Sequence, residues 1–201
     1  MKTEELILKK TFNLLLLKGF DAVSITDIQI ATGLSRGLLY HYFKNKEELF
    51  IEVTEKYFIQ IFDFDTRKTK NKTVYEFVDF MCKRFKQIAK TIMDIASEVG
   101  EQSTVSMLNY HFLFYQVMQR DVIFRGKYKA TIEKEMTGWK YALNNSIKLN
   151  ELNSNIDIAS SVKQLFTLTD GIWFQSIFNT DGKKFPKDLE KSLLHYIELL
   201  R

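Results

Sequence analysis

Between Thr26 and Lys46 the chain reads TDIQIATGLSRGLLYHYFKNK, an order of residues that few folds accommodate. Thr26 is a helix start, because its hydroxyl accepts a bond from an amide one turn on, and Asp27 suits the positive end of the helix dipole. Ile28 and Ala31 supply the inward face. Gly33 stands where a left-handed backbone stops a helix, which Gly alone enters without strain. Leu34 fills the corner. Ser35 caps a second helix of about two turns, in which Leu39 and Phe43 lie four apart on the buried side. Arg36, Gly37, Leu38, Tyr40, His41 and Tyr42 are left at its end or on its outer side.

Two helices around a short turn containing Gly make a helix-turn-helix, whose second helix enters the DNA major groove with its N-terminal residues against base edges. Such a unit reads DNA and performs no chemistry. Arg36 stands where a guanidinium can bond guanine bidentately, and Leu38 where it can touch a thymine methyl. Tyr40, Tyr42 and Lys46 are better placed for phosphates, which set register without reading sequence. The same spacing also serves as a plain corner between two core helices. Aromatic residues on the outer face of so short a helix weigh against that alternative.

From about Leu6 to Val53 the chain resembles the N-terminal domain of the TetR (tetracycline-repressor-like) family of bacterial transcription regulators. The matching pieces are Lys18-Gly19-Phe20, Ser24-Ile25-Thr26-Asp27-Ile28, Ala31-Thr32-Gly33-Leu34-Ser35, Gly37, Leu39-Tyr40-His41-Tyr42-Phe43 and Lys46-Glu47-Glu48-Leu49. They run in order for over forty residues, about a quarter of the 201-residue chain. The resemblance implies a palindromic double-stranded DNA operator, and it places Ser24, Thr26, Tyr40 and Tyr42 among the backbone contacts. It implies an effector-sensing and dimerising C-terminal domain, whose ligand it does not identify. Leu38 departs from the pattern, since a small or hydroxylated residue is common there.

One Pro and eight Gly leave few breaks, so the expected fold is all-α, about nine helices in all; with the resemblance, it divides into a three-helix helix-turn-helix DNA-binding domain over residues 1–50 and a helical effector-binding and dimerisation domain over residues 51–201. The lone Cys82 cannot form an internal disulfide, and no apolar run reaches the roughly 18 residues of a membrane span. With acids inside the helical pattern of MKTEELILKK, the N-terminus does not read as a secretion signal. A cytoplasmic protein with no membrane partner is expected. The net charge of +4 is a weak sign of an anionic partner. Residues 1–50 carry seven Lys and Arg against six Asp and Glu, so the local pattern matters more: Ile28 to Lys46 holds Arg36, Lys44 and Lys46 and no acid. The basic run Arg67, Lys68, Lys70 and Lys72 reads as a solvated connection.

Thr3–Lys18 is the expected first helix, closed by Gly19. Asn45 is the expected cap of a long helix reaching Phe64, a lever that begins on the DNA domain and ends beyond it. Helices over 73–96, 103–119, 121–149, 156–180 and 187–200 follow, with a break at Gly100 and a turn at Asp181-Gly182.

Enzymatic readings find little support. None of His41, His111 and His195 has a second His or Cys at helical metal-ligand spacing, and no Gly-rich phosphate loop occurs, so neither metal nor cofactor is expected. Cys82 reads as core, on a helical stripe. An unidentified apolar or amphipathic effector is expected among Met81, Phe85, Met107, Tyr110, His111, Phe114, Tyr115, Trp139, Leu165 and Thr169, where aromatic and thioether side chains crowd together. One groove-reading helix covers only a few base pairs, so specificity calls for a homodimer with two half-sites. Residues 156–178 are apolar on two faces and need a second partner, which places the interface at Phe166, Trp173, Phe174, Ile177, Leu193, Leu194 and Ile197.

Overall fold

A computed structural model describes residues 2–97, 106–178 and 185–201. Among the described residues there are nine α-helices and no strand: α1 (Thr3–Lys18), α2 (Ile25–Thr32), α3 (Arg36–Tyr42), α4 (Lys46–Thr54), α5 (Val74–Ser97), α6 (Met107–Arg120), α7 (Val122–Lys148), α8 (Ile158–Gln175) and α9 (Phe185–Glu198). The break at Gly100, the helix start at Ser103 and the turn at Asp181-Gly182 lie outside the described residues.

Local chemistry sets the N-terminal boundaries. Glu4 and Glu5 open α1 and Lys18 closes it, each charge matching the dipole at its end, while Gly19 leaves the helix at φ 77°. The start of α2 is Ser24, not Thr26. Its hydroxyl accepts from the Asp27 amide while the Asp27 carboxylate accepts from the Ser24 amide, a reciprocal cap that leaves Thr26 inside the first turn. Gly33 ends α2 at φ 70°, and Ser35 caps α3 by accepting from the Leu38 amide.

Asn45 caps α4 as expected, accepting from the Glu48 amide at 2.7 Å. The uninterrupted helix to Phe64 is not observed. After Thr54 the chain widens into a π-helical turn, Glu55–Gln60, and after it comes only a short 3-10 turn at Thr66–Lys68, capped by Asp65. The π turn places Tyr57 and Phe58 together in the core, where Phe12 stacks on Tyr57 at 4.2 Å and meets Phe58 edge-on at 5.9 Å. The fully buried Tyr110 of α6 donates its hydroxyl to the Tyr57 carbonyl at 2.8 Å, and burial raises that phenol well above its usual pKa.

Packing divides the chain into two compact units, Met1–Phe62 with Thr91–Tyr128 and Asp63–Lys90 with Lys129–Arg201, so α5 and α7 contribute residues to both. The first unit joins α1 to α4 with α6: Asn109 donates to the Leu16 carbonyl at 3.1 Å, and the Gln116 side chain accepts from the Phe20 amide at 3.2 Å. In the second unit Phe77 meets Trp139 edge-on at 4.7 Å, and Phe85, Trp173 and Phe185 form a ring cluster. Gly138 is required there, because a Cβ would collide with the Phe77 ring.

Candidate nucleic-acid interface

The outer face of α2 and α3 is built on Ile28, Leu39 and Phe43, which are 0%, 2% and 5% exposed and anchor both helices from beneath. Lys18 bonds the Asp27 carboxylate at 2.5 Å, so this pair together with the Ser24 hydroxyl holds Asp27 well below the usual carboxylate range. The first turn of α2 is thereby tied to the end of α1. Above these anchors Ser24, Thr26, Ser35, Arg36, Gly37, Leu38, Tyr40, His41 and Tyr42 are all exposed, and Lys46 is half-buried.

The exposed side chains partly order one another. The Arg36 guanidinium lies 5.6 Å from the centre of the Tyr40 ring, and His41 meets Tyr42 edge-on at 5.4 Å. Lys46 lies 4.9 Å from the centre of the Phe50 ring, which explains its partial burial. Leu38, Tyr40 and Tyr42 are each about two-fifths exposed, so apolar and aromatic surface faces outward from a helix of only seven residues. That surface, with guanidinium and phenol groups and no acid, can meet base edges and phosphates. Ile30 of α2, 78% exposed, is an outward apolar residue that the sequence reading did not single out.

The ten residues expected around an effector divide between the two units. Met107, Tyr110, His111, Phe114 and Tyr115 belong to the first, and Met81, Phe85, Trp139, Leu165 and Thr169 to the second. All are buried except Phe114, which is half-buried, and Tyr115, which is 54% exposed. Beside Trp139 stands Glu135, whose carboxylate accepts from the indole at 3.3 Å. Burial pushes this carboxyl up to about 7, against the indole bond and the Arg84 charge, which lower it. Sequence spacing does not signal Glu135, because it stands two residues from Glu133 on a lysine-rich helix and neither acid is marked out by its neighbours.

Of the expected dimer residues, Trp173, Leu193 and Ile197 are buried within the second unit, where they hold α8 on α9. Phe174 is 44% exposed, and Phe166, Ile177 and Leu194 are half-buried. Cys82 is half-buried and its thiol is pushed up to about 12 by burial, which leaves it little thiolate at neutral pH. Among the described residues no group of three or more His, Cys, Asp or Glu is placed to hold a metal ion, and no helix is long and apolar enough to cross a membrane.

Residues 7–53 match the family described as bacterial regulatory proteins, tetR family. No curated protein matches the chain. Solved structures match it almost end to end at low identity. A TetR transcription regulator from Haloarcula marismortui is 13% identical with a TM-score of 0.69, over 98% of this chain and 97% of that one. SmeT, the repressor of the Stenotrophomonas maltophilia multidrug efflux pump SmeDEF, is 17% identical with a TM-score of 0.65, over 99% and 90%. A TetR transcriptional regulator from Chloroflexus aurantiacus is 18% identical with a TM-score of 0.60, over 98% and 92%. Residues 7–53 thus match the tetR family, and the chain as a whole shares the fold of these solved TetR regulators.

Proposed function

We propose that the protein is a sequence-specific DNA-binding transcriptional regulator: a repressor that binds a palindromic operator as a homodimer and leaves it when a small apolar or amphipathic effector binds. Residues 1–50 do the reading, and residues 51–201 hold the effector and the dimer interface. The observation that carries this is the outer face of α3, where Arg36, Leu38, Tyr40 and Tyr42 are exposed over the buried anchors Leu39 and Phe43. A corner used only for packing has no reason to show two tyrosines, an arginine and a leucine to water. SmeT, similar in fold, is a repressor, which agrees with the sign of regulation proposed. The protein then works in the cytoplasm, where its DNA is.

Release requires that the effector bind one arrangement of the reading helices better than the other, since equal affinity shifts nothing. The rival reading is an all-helical interaction module or enzyme. Titration of sheared duplex DNA separates the two: a regulator binds at low salt with affinity that falls as a steep power of salt concentration, because bound counterions are released from the phosphates. No binding at low salt would refute the proposal.

A further inference from the structure

A cleft of about 340 Å³ lies within the first unit, walled by the α1–α2 loop (Phe20, Asp21), one face of α4 (Lys46, Glu47, Phe50, Ile51) and the end of α6 (Val117, Arg120) with Asp121 after it. That volume lies within the range of small-ligand sites. Its floor is aromatic: Phe20 meets Phe50 edge-on at 4.8 Å. Each ring already carries a cation of the protein, Arg120 at 5.3 Å from Phe20 and Lys46 at 4.9 Å from Phe50.

The two cations are not equivalent. Both terminal guanidinium nitrogens of Arg120 donate to the two Asp21 oxygens, so that pair is neutral. Lys46 sits at the first turn of α4 over the Phe50 ring, on a flexible stem. Glu47 and Asp121 line the same cleft, and Asp121 also caps α7 by accepting from the Phe124 amide at 3.0 Å. With Asp21 and Arg120 cancelled, the lining therefore holds two acids against one movable ammonium.

We propose that this cleft binds a small lipophilic monocation, whose ammonium takes the place of the Lys46 ammonium on the face of Phe50 and is countered by Glu47 and Asp121, while its hydrocarbon part lies along Ile51 and Val117. The displaced Lys46 ammonium moves into solvent, where it costs little, and a quaternary ammonium gains more from a ring face than the strongly hydrated lysine does. A carboxylate ligand would meet the uncancelled acids. None of this depends on the protein binding DNA.

The test uses the full chain, about 0.15 M salt to limit loose surface pairing, and three probes with the same six-carbon tail: hexyltrimethylammonium, hexanol and hexanoate. Amide chemical shifts are followed during titration. The expected result is saturable perturbation confined to residues 20–21, 46–54 and 117–121, with the ammonium bound about fivefold or more tighter than hexanol and hexanoate weakest. Glu47→Gln, at an exposed position, should weaken the ammonium by a few fold and leave hexanol unchanged. Phe50→Leu keeps an apolar floor and should abolish the preference for ammonium over hexanol, provided its thermal melt shows it folded. Equal binding of ammonium and hexanol, tighter binding of hexanoate, perturbation elsewhere in the chain, or indifference to Glu47→Gln would each overturn the proposal.

Discussion

Arg36 and Lys46 are both cations on the reading domain, yet their surroundings differ in a way that DNA binding should reveal. Arg36 is exposed at the start of α3 and leans on Tyr40, whereas Lys46 is half-buried against Phe50. Arg36→Ala should cost about 1–3 kcal/mol on the operator and far less on random duplex. Lys46→Ala should weaken both alike and reduce the salt slope by about one. Anisotropy titrations on operator and scrambled DNA at several salt concentrations decide the matter, and equal effects of the two substitutions on both DNAs would refute the assignment. Glu135 gives a second residue-level expectation, in stability. Its carboxyl is raised from the usual 4.5 to about 7, so the folded chain keeps a proton that the unfolded chain has already lost. Its contribution is therefore full below pH 4.5 and is lost as pH rises to about 7, on the order of 3 kcal/mol in all. Glu135→Gln keeps an oxygen for the Trp139 indole and should flatten that decline in urea midpoints measured from pH 5 to 8. An unchanged pH profile would mean that Glu135 is ionised throughout.

At the scale of elements, the helix-turn-helix was legible because its signals are local. Gly33, Ser35, Leu39 and Phe43 act within one or two turns of themselves, and α3 appears where those residues put it. The start of α2 was read two residues late, since Ser24 and Thr26 are both good caps and only Ser24 has an acid three residues on to complete the reciprocal pair. The π turn at Glu55–Gln60 was not legible at all. Apolar spacing there also fits an ordinary helix, and what marks the turn is the Tyr57 carbonyl bonded by a hydroxyl 53 residues away. Tyr110→Phe should leave that carbonyl short of a partner and cost about 1–2 kcal/mol. The same variant should speed amide exchange over Tyr57–Ile61, because i→i+5 bonding is an uncommon state that needs support from its surroundings. Unchanged stability together with unchanged exchange would show that the turn holds without Tyr110.

At the scale of the whole molecule, the all-helical class followed from one Pro and eight Gly, whereas the grouping of helices into units did not follow. Arg120 and Asp21 are 99 residues apart, and Asn109 and Leu16 are 93 apart, so no spacing announces that α6 packs with α1. For the proposed dimer, periodicity alone could not tell faces that cover each other from faces left over: Trp173, Leu193 and Ile197 are buried within the chain, while Phe174 and Leu194 keep exposed surface. Phe174→Glu with Leu194→Glu should yield monomers in sedimentation and abolish operator binding. An intact dimer would move the interface elsewhere. The membership of the first unit also limits how this protein can be engineered. A chimera that transplants residues 1–50 onto a foreign sensor would leave behind Tyr57, Phe58 and Tyr110, the ring partners of Phe12, and the Gln116 and Arg120 side chains that hold the loop after α1. The smallest graft that keeps its own interior must carry α6 with it, although α6 arrives in the chain some fifty residues after the π turn.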